Sequence, residues 1–264
     1  GILAALRNIR NMMKNPRPEI IQKLCKLISN PIAIKNGMIM PYQMDLAYEV
    51  IKQEFNNSEY HKTVLNALTT GLELSIPNLA NALPGKTLVM IDCSGSMLDN
   101  CYQKGKKIKT TACNKAGLLA AMIAKATNCD VIRFGSNAHY VNYDSDTNVF
   151  DLGKVFSKPN MGCTNIGAAF DCARNAGKAY DRIILLSDNE ANSGCVCSSY
   201  KRYIHDICSP YIYCVDLAAY GTMPIKNHDK VNYYYGYGYS LFDDITNKEF
   251  NPSAHIDQVR QVKI

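Results

Sequence analysis

The spacing of apolar positions divides the chain in two. Over residues 1 to about 82 they recur every three or four positions, the period of helices with one buried face. Leu3, Leu6, Ile9, Arg10 and Met13 form the first stripe. Pro18 opens a second helix, where its missing N–H costs nothing, and Ile20, Ile21, Leu24, Leu27 and Ile28 follow. Pro41 opens a third, with Met44, Tyr48 and Ile51 on one face. Ser58 is placed to cap a fourth, lined by Val64, Leu65, Leu68 and Leu72. Short breaks with Pro and Asn join these helices, as in antiparallel bundles and HEAT-like helical repeats.

The period changes at Pro84-Gly85. Residues 87–91, 130–134, 182–186 and 211–217 are short apolar runs that predict buried strands, and 139–143 is strand-like. Between them, 110–127, 165–176 and 198–208 carry helical spacing, and a closing helix begins near Leu241. Apolar strands alternating with helices predict an α/β domain: a mostly parallel sheet with helices on both faces. The expected organisation is an α-helical segment over 1–84 and the α/β domain over 85–264.

Ligands of such sheets bind at the carboxyl ends of the strands. Three polar segments fall there. Asp92-Cys93-Ser94-Gly95-Ser96 follows the first strand, Gly162-Cys163-Thr164-Asn165 precedes a helix, and Ser187-Asp188-Asn189-Glu190 follows the run RIILL. Asp92, Ser94, Ser96, Thr164 and Asp188 therefore converge on one edge as oxygen donors. Carboxylates and hydroxyls suit a hard divalent cation, Mg²⁺ or a similar ion such as Mn²⁺. Ser94 and Ser96 alternate with Cys93 and Gly95, so both hydroxyls can face one point, and Gly95 is expected to permit a tight turn. With only two carboxylates, the metal would attract an acidic partner group.

DCSGSM resembles the metal-ion-dependent adhesion site (MIDAS) of von Willebrand A domains, and Thr164 and Asp188 match that family's later threonine and aspartate in order. The resemblance covers roughly residues 85–264 and implies a Rossmann-like A-type fold. The N-terminal part is similar to the TROVE module of Ro autoantigen-like proteins: GILAALRNIRNMM resembles its "LRN" helix and IMPYQMDLAYEVIK a later helix, while in the A domain LLSDNEA is similar to that family's strand ending in Thr-Asp-Asn-Glu. That resemblance implies an RNA-binding protein in which a ring of helical repeats holds small structured RNAs outside and single-stranded ends in its hole. The A domain would close the ring and carry the metal. Two departures stand out. About eighty residues precede the A domain, too few for a ring, and Met40-Pro41-Tyr42-Gln43 replaces a His-Pro-Phe-His pattern. The chain also starts at Gly1, which points to a processed or excised chain.

Charge adds a second candidate surface. Residues 1–37 hold seven Lys or Arg against Glu19 alone, which matches the whole net charge of +6. Arg7, Arg10, Lys14 and Arg17, with Lys104, Lys106 and Lys107 after the metal loop, are the candidate phosphate contacts. The simpler reading of either cluster is a solvated basic face. The eleven cysteines show no paired zinc spacing, and several occupy strand or helix positions, so free thiols in a reducing cytoplasm are expected. The tyrosines between Tyr233 and Tyr239 could stack bases, but a packing loop is the plainer reading. No stretch is long enough to span a membrane.

No general base is positioned beside Cys93 or the metal loop, so the chain reads as a non-enzymatic binding protein. The leading reading is a divalent-metal-binding, Ro/TROVE-like RNA-binding protein. The alternative is a MIDAS-dependent protein-interaction module of a larger assembly (a virion, a multisubunit complex or a chelatase-like machine) that binds an acidic partner residue through the metal. Oligomeric state is open at this level.

Overall fold

The computed structural model describes residues 1–103, 106–158, 161–225, 228–236 and 240–250. The chain divides into two compact units, Gly1–Asn81 and Ala82–Ile264.

The first unit is helical: α1 (Ile2–Lys14), α2 (Pro18–Ile28), α3 (Pro31–Asn36), α4 (Pro41–Glu54) and α5 (His61–Ala82), which ends at the boundary between the units. Proline stands at the start of α2, α3 and α4, where no N–H is needed. α1 buries Ile2, Leu6, Ile9 and Met13, one face at helical spacing. α3 is a helix that periodicity missed, because six residues are too few to show a period. It is set by its cap: the Asn30 side chain accepts from the Ile32 and Ala33 amides. Ser58 does not cap α5. Its hydroxyl accepts from the Tyr60 amide in the preceding turn, and the helix begins at His61. Gly71 of α5 is needed for close packing, since a Cβ there would stand 2.3 Å from the Ile28 carbonyl oxygen.

The second unit begins with β1 (Thr87–Asp92), a 3₁₀ turn (Gly95–Leu98) and a hairpin of β2 (Asn100–Gln103) and β3 (Lys106–Thr111). Then come α6 (Ala112–Thr127), β4 (Asp130–Phe134), β5 (Ala138–Tyr140), α7 (Val149–Phe156), α8 (Ile166–Asn175), β6 (Arg182–Ser187), α9 (Val196–Asp206), β7 (Tyr211–Asp216), β8 (Val231–Tyr235) and α10 (Ser240–Phe250). The sheet runs β5-β4-β1-β6-β7-β8, parallel except for the antiparallel edge strand β5. Alternation along the strands sends Leu88, Met90, Ile183, Leu185, Ile212 and Cys214 into a core with Phe170 of α8 and Tyr200 and Tyr203 of α9. Val89, Ile91, Val131, Ile184 and Leu186 point the other way and are equally buried. α6 packs against β1, β6 and β4, so both faces are covered. This is the mostly parallel α/β architecture that the strand and helix periods predict.

Three elements depart from expectation. The segment around Lys106 and Lys107 pairs as a hairpin rather than lying as a plain loop. Val149–Phe156 is a helix, started by the Asn148 side chain on the Phe150 amide. Val231–Tyr235 is an edge strand, in which Tyr233 binds Ile225 and the Tyr234 ring lies 6.2 Å from that of Tyr213. Those two tyrosines pack rather than offer a stacking platform. Tyr237, Gly238 and Tyr239 lie outside the described residues.

Candidate metal centre

β1 and β6 are neighbours, and the chain leaves β1 toward β4 on one side and returns to β6 on the other. This is the point where strand order reverses, and a crevice opens at the carboxyl ends there. Asp92 ends β1 and Asp188 follows β6, so topology brings two carboxylates together across ninety-six residues.

Asp92 is fully buried and held at both oxygens. Oδ1 accepts the Ser94 amide at 2.9 Å, and Oδ2 accepts the Ser187 hydroxyl at 2.6 Å. Ser187 Oγ in turn accepts the Asn189 amide at 2.9 Å, so one hydroxyl fixes both the carboxylate and the loop after β6. Ser94 Oγ lies 3.2 Å from Ser96 Oγ, and Thr164 Oγ1 donates to Ser94 Oγ at 2.9 Å. Asp188 is fully buried: Oδ1 accepts the Glu190 amide at 3.1 Å, and Oδ2 has no partner. A buried carboxylate oxygen without a donor costs several kcal/mol unless a cation or ligand meets it, by order of magnitude. Burial, opposed by the bonds from Ser187 and Ser94 and aided by repulsion from Asp188, pushes the Asp92 carboxyl up to about 6.

The five residues expected to converge thus form one cluster of three hydroxyls and two carboxylates. Among the described residues no group of three or more His, Cys, Asp or Glu could hold a metal. Any ion here would therefore be held largely by hydroxyl oxygen, and the free Asp188 Oδ2 is the group that a hard cation would satisfy.

Thr164 is positioned by parts the sequence did not advertise. Its amide donates to Asn192 Oδ1 at 2.9 Å, and its carbonyl accepts from the Asn192 and Ser193 amides. Asn165 caps α8 through the Ala168 amide. Gly194, at φ +71°, abuts Asn165, and a Cβ there would stand 2.3 Å from Asn165 Oδ1. The chain turns at Gly95, where the 3₁₀ turn begins, but a Cβ there would meet nothing within 4 Å, so that turn does not demand glycine. The left-handed backbone lies opposite, at Gly162 with φ +84°, whose carbonyl accepts the Gly95 amide. Asp216 at the end of β7 was also missed. Its carboxylate gathers the Ala218, Ala219 and Gly221 amides and shapes the next loop. Asn192→Ala is expected to cost about 1–2 kcal/mol in urea unfolding, because it leaves the Thr164 amide unpaired. It should also speed hydrogen exchange of that amide.

Cys93 points into the core, with its thiol 3.6 Å from the Phe156 carbonyl oxygen, and its hydrogen bond with Cys113, then burial, push it far above the ordinary thiol range. All eleven cysteines are free. Arg7, Arg10 and Lys14 lie on the exposed side of α1, with Arg10 paired to Glu54, and exposed Arg17 precedes α2. Lys106 and Lys107 lie in β3. Lys104 lies outside the described residues. The candidate metal cluster and the α1 basic face belong to different units. No described helix is long and apolar enough to cross a membrane.

The Ro60 vWA domain family matches residues 86–204. No curated protein matches the chain. Among solved structures, the RO (RSR) protein of Deinococcus radiodurans overlays with a TM-score of 0.78 at 18% identity, over 94% of this chain and 52% of that one. The chain thus spans about half the length of that relative. An aerotolerance-related membrane protein of Bacteroides fragilis overlays with a TM-score of 0.41 at 16% identity, over 62% of this chain and 98% of that one. Residues 86–204 thus resemble a von Willebrand A domain of the Ro60 type, and the chain shares the fold of the Deinococcus radiodurans protein.

Proposed function

We propose that this chain is a non-enzymatic, RNA-binding protein of the Ro type whose A domain holds Mg²⁺, or a similar ion such as Mn²⁺. The metal reading rests on one observation: Asp188 Oδ2 is buried without a donor beside Asp92, Ser94, Ser96 and Thr164. Asp92, Asp188 and the three hydroxyls would hold the ion directly or through water. When bound, the ion offers a Lewis-acidic position to an acidic group. The chain's own residues orient that position: Ser187 steers Asp92, and Asn192 steers Thr164.

The RNA reading is supported by the Ro60-type domain and by the exposed row Arg7, Arg10 and Lys14, spaced three and four residues apart on α1. Such a row meets a phosphate backbone without reading its sequence. The eleven free thiols suit a reducing cytoplasm.

A gel shift with single-stranded and small structured RNA tests this. Binding is expected at low salt, to fall steeply between 50 and 200 mM salt as counterion release requires, and to survive EDTA. Arg7 and Lys14 changed together to Glu should weaken it at least tenfold. The absence of any shift would reject the RNA reading. Binding of an acidic protein partner that vanishes with EDTA and tolerates salt would favour the alternative. In that reading the A domain is the MIDAS-dependent interaction module of a larger assembly.

A further inference from the structure

Beside the metal cluster lies a cavity of about 740 Å³, within the size range of small-molecule sites. Its wall includes Ser96, Asn189, Cys195, Val196, Thr222 and Met223. Asn189 is only 2% exposed and sits in the left-handed region at φ +60°. Neither its Oδ1 nor its Nδ2 has a partner. A buried carboxamide with both ends unmatched is costly and is complementary to another amide, which offers one acceptor and one donor.

Cys195 stands on the same wall. It is exposed and forms the N-cap of α9, an eleven-residue helix. Its Sγ lies 3.0 Å from Ser198 Oγ, and Arg202 follows in the helix. The helix N-terminus and a hydroxyl donor both favour thiolate over thiol. The Ser198 hydroxyl, then its amide, hold this thiol below its ordinary value. Two other exposed cysteines provide an internal comparison. Cys197 donates its thiol proton toward the Pro224 carbonyl oxygen at 3.6 Å. Cys163 is in the loop before Thr164, two residues ahead of the Asn165 N-cap rather than at a cap position.

We infer that this cavity binds small amide-bearing disulfides and that Cys195 is the residue they modify. The Cys195 proton goes to solvent. The thiolate sulfur attacks one sulfur of the disulfide, a new S–S bond forms, and the old one breaks. Its electron pair leaves on the other half as a thiolate, which water protonates. Asn189 holds the amide of the incoming molecule. The adduct would occupy the approach to Ser96.

Oxidised glutathione and hydroxyethyl disulfide are the probes, the second having no amide. Both are applied with EDTA present to the full chain carrying Cys197→Ser, so that no neighbouring thiol can displace the adduct. Peptide mapping by mass spectrometry reads the rate at each cysteine. With oxidised glutathione, Cys195 is expected to react at least ~10-fold faster than Cys163. With hydroxyethyl disulfide that preference should shrink several-fold. Asn189→Gly, which tolerates the same backbone, should erase the difference between the two probes. Equal rates at Cys195 and Cys163 would overturn the thiol assignment. Equal preference for both probes would overturn the cavity's role.

Discussion

In Asp92→Asn, Mg²⁺ binding is expected to be lost, and the metal-free protein is expected to melt at a higher temperature than wild type at pH 7.5. The two effects share one cause. Asp92 is fully buried, close enough to Asp188 to feel its charge, and its carboxyl is raised from 3.8 to about 6, first by burial. A carboxyl with a folded value above its unfolded one binds its proton more tightly in the folded state. Its contribution is favourable below about pH 4 and is lost as pH rises toward and past 6. At pH 7.5 the ionised group then opposes folding by roughly 3 kcal/mol, at 1.36 kcal/mol per unit. Asn keeps an oxygen for the Ser94 amide, turns its Nδ2 toward the Ser187 hydroxyl, which can accept, and removes the charge. Metal-free wild type should therefore lose melting temperature between pH 5 and 7.5 relative to the variant, by several degrees for a domain of this size. Saturating Mg²⁺ should close that gap in wild type, because it binds only the folded state, and should leave the variant unmoved. Calorimetry expects affinity in the variant to fall by more than ~100-fold, beyond the usual effect of a supporting residue. Retention of Mg²⁺ affinity by Asp92→Asn would refute the assignment of the site.

That a destabilising carboxylate pair is kept at the strand ends explains why the cluster was legible in the sequence. Asp92, Ser94 and Ser96 interrupt a chain that is otherwise apolar at the end of β1, and Asp188 does the same at the end of β6. Polar residues where packing asks for none announce a site. Most elements of the fold were legible through period alone, since β1 and β6 are buried on both sides and α1 and α2 on one. The parts that were not legible act through long-range bonds that no local pattern encodes. Ser187 ends an apolar strand and reads as its boundary, yet it holds Asp92 from ninety-five residues away. Asn192 and Gly194 read as loop residues, yet they fix Thr164 and Asn165. Short elements failed for a different reason. α3 and α7 owe their starts to Asn caps, and six or eight residues give too few turns to reveal a period.

Arg182 is the sharpest case of a residue hidden by its surroundings, and breaking its pairing should cost more than any other single change outside the core. It opens the apolar run RIILLS and is fully buried in β6. Its guanidinium donates from Nε to Glu249 Oε1 at 2.9 Å, from Nη1 to Thr87 Oγ1 at 2.8 Å, and from Nη2 to the Pro84 carbonyl and Glu249 Oε2 at 2.6 Å each. Tyr213 of β7 adds a bond to Glu249 Oε1 at 2.9 Å. The starts of β1 and β6, the middle of β7 and the end of α10 are thus tied at the end of the sheet opposite the candidate metal cluster. Removing one member leaves a desolvated charge alone. Glu249→Ala is accordingly expected to cost about 3–5 kcal/mol in urea unfolding, and Arg182→Ala a similar amount. Replacing both, Arg182→Met with Glu249→Leu, should recover most of that loss, since two apolar residues of similar volume need no partner. Thr87 and Tyr213 keep their hydroxyls, so part of the cost should remain in the double variant. If Glu249→Ala unfolds at the wild-type urea midpoint, α10 is not anchored through this pair. If the double variant is no more stable than the singles, the penalty comes from lost packing rather than from an unpaired buried charge.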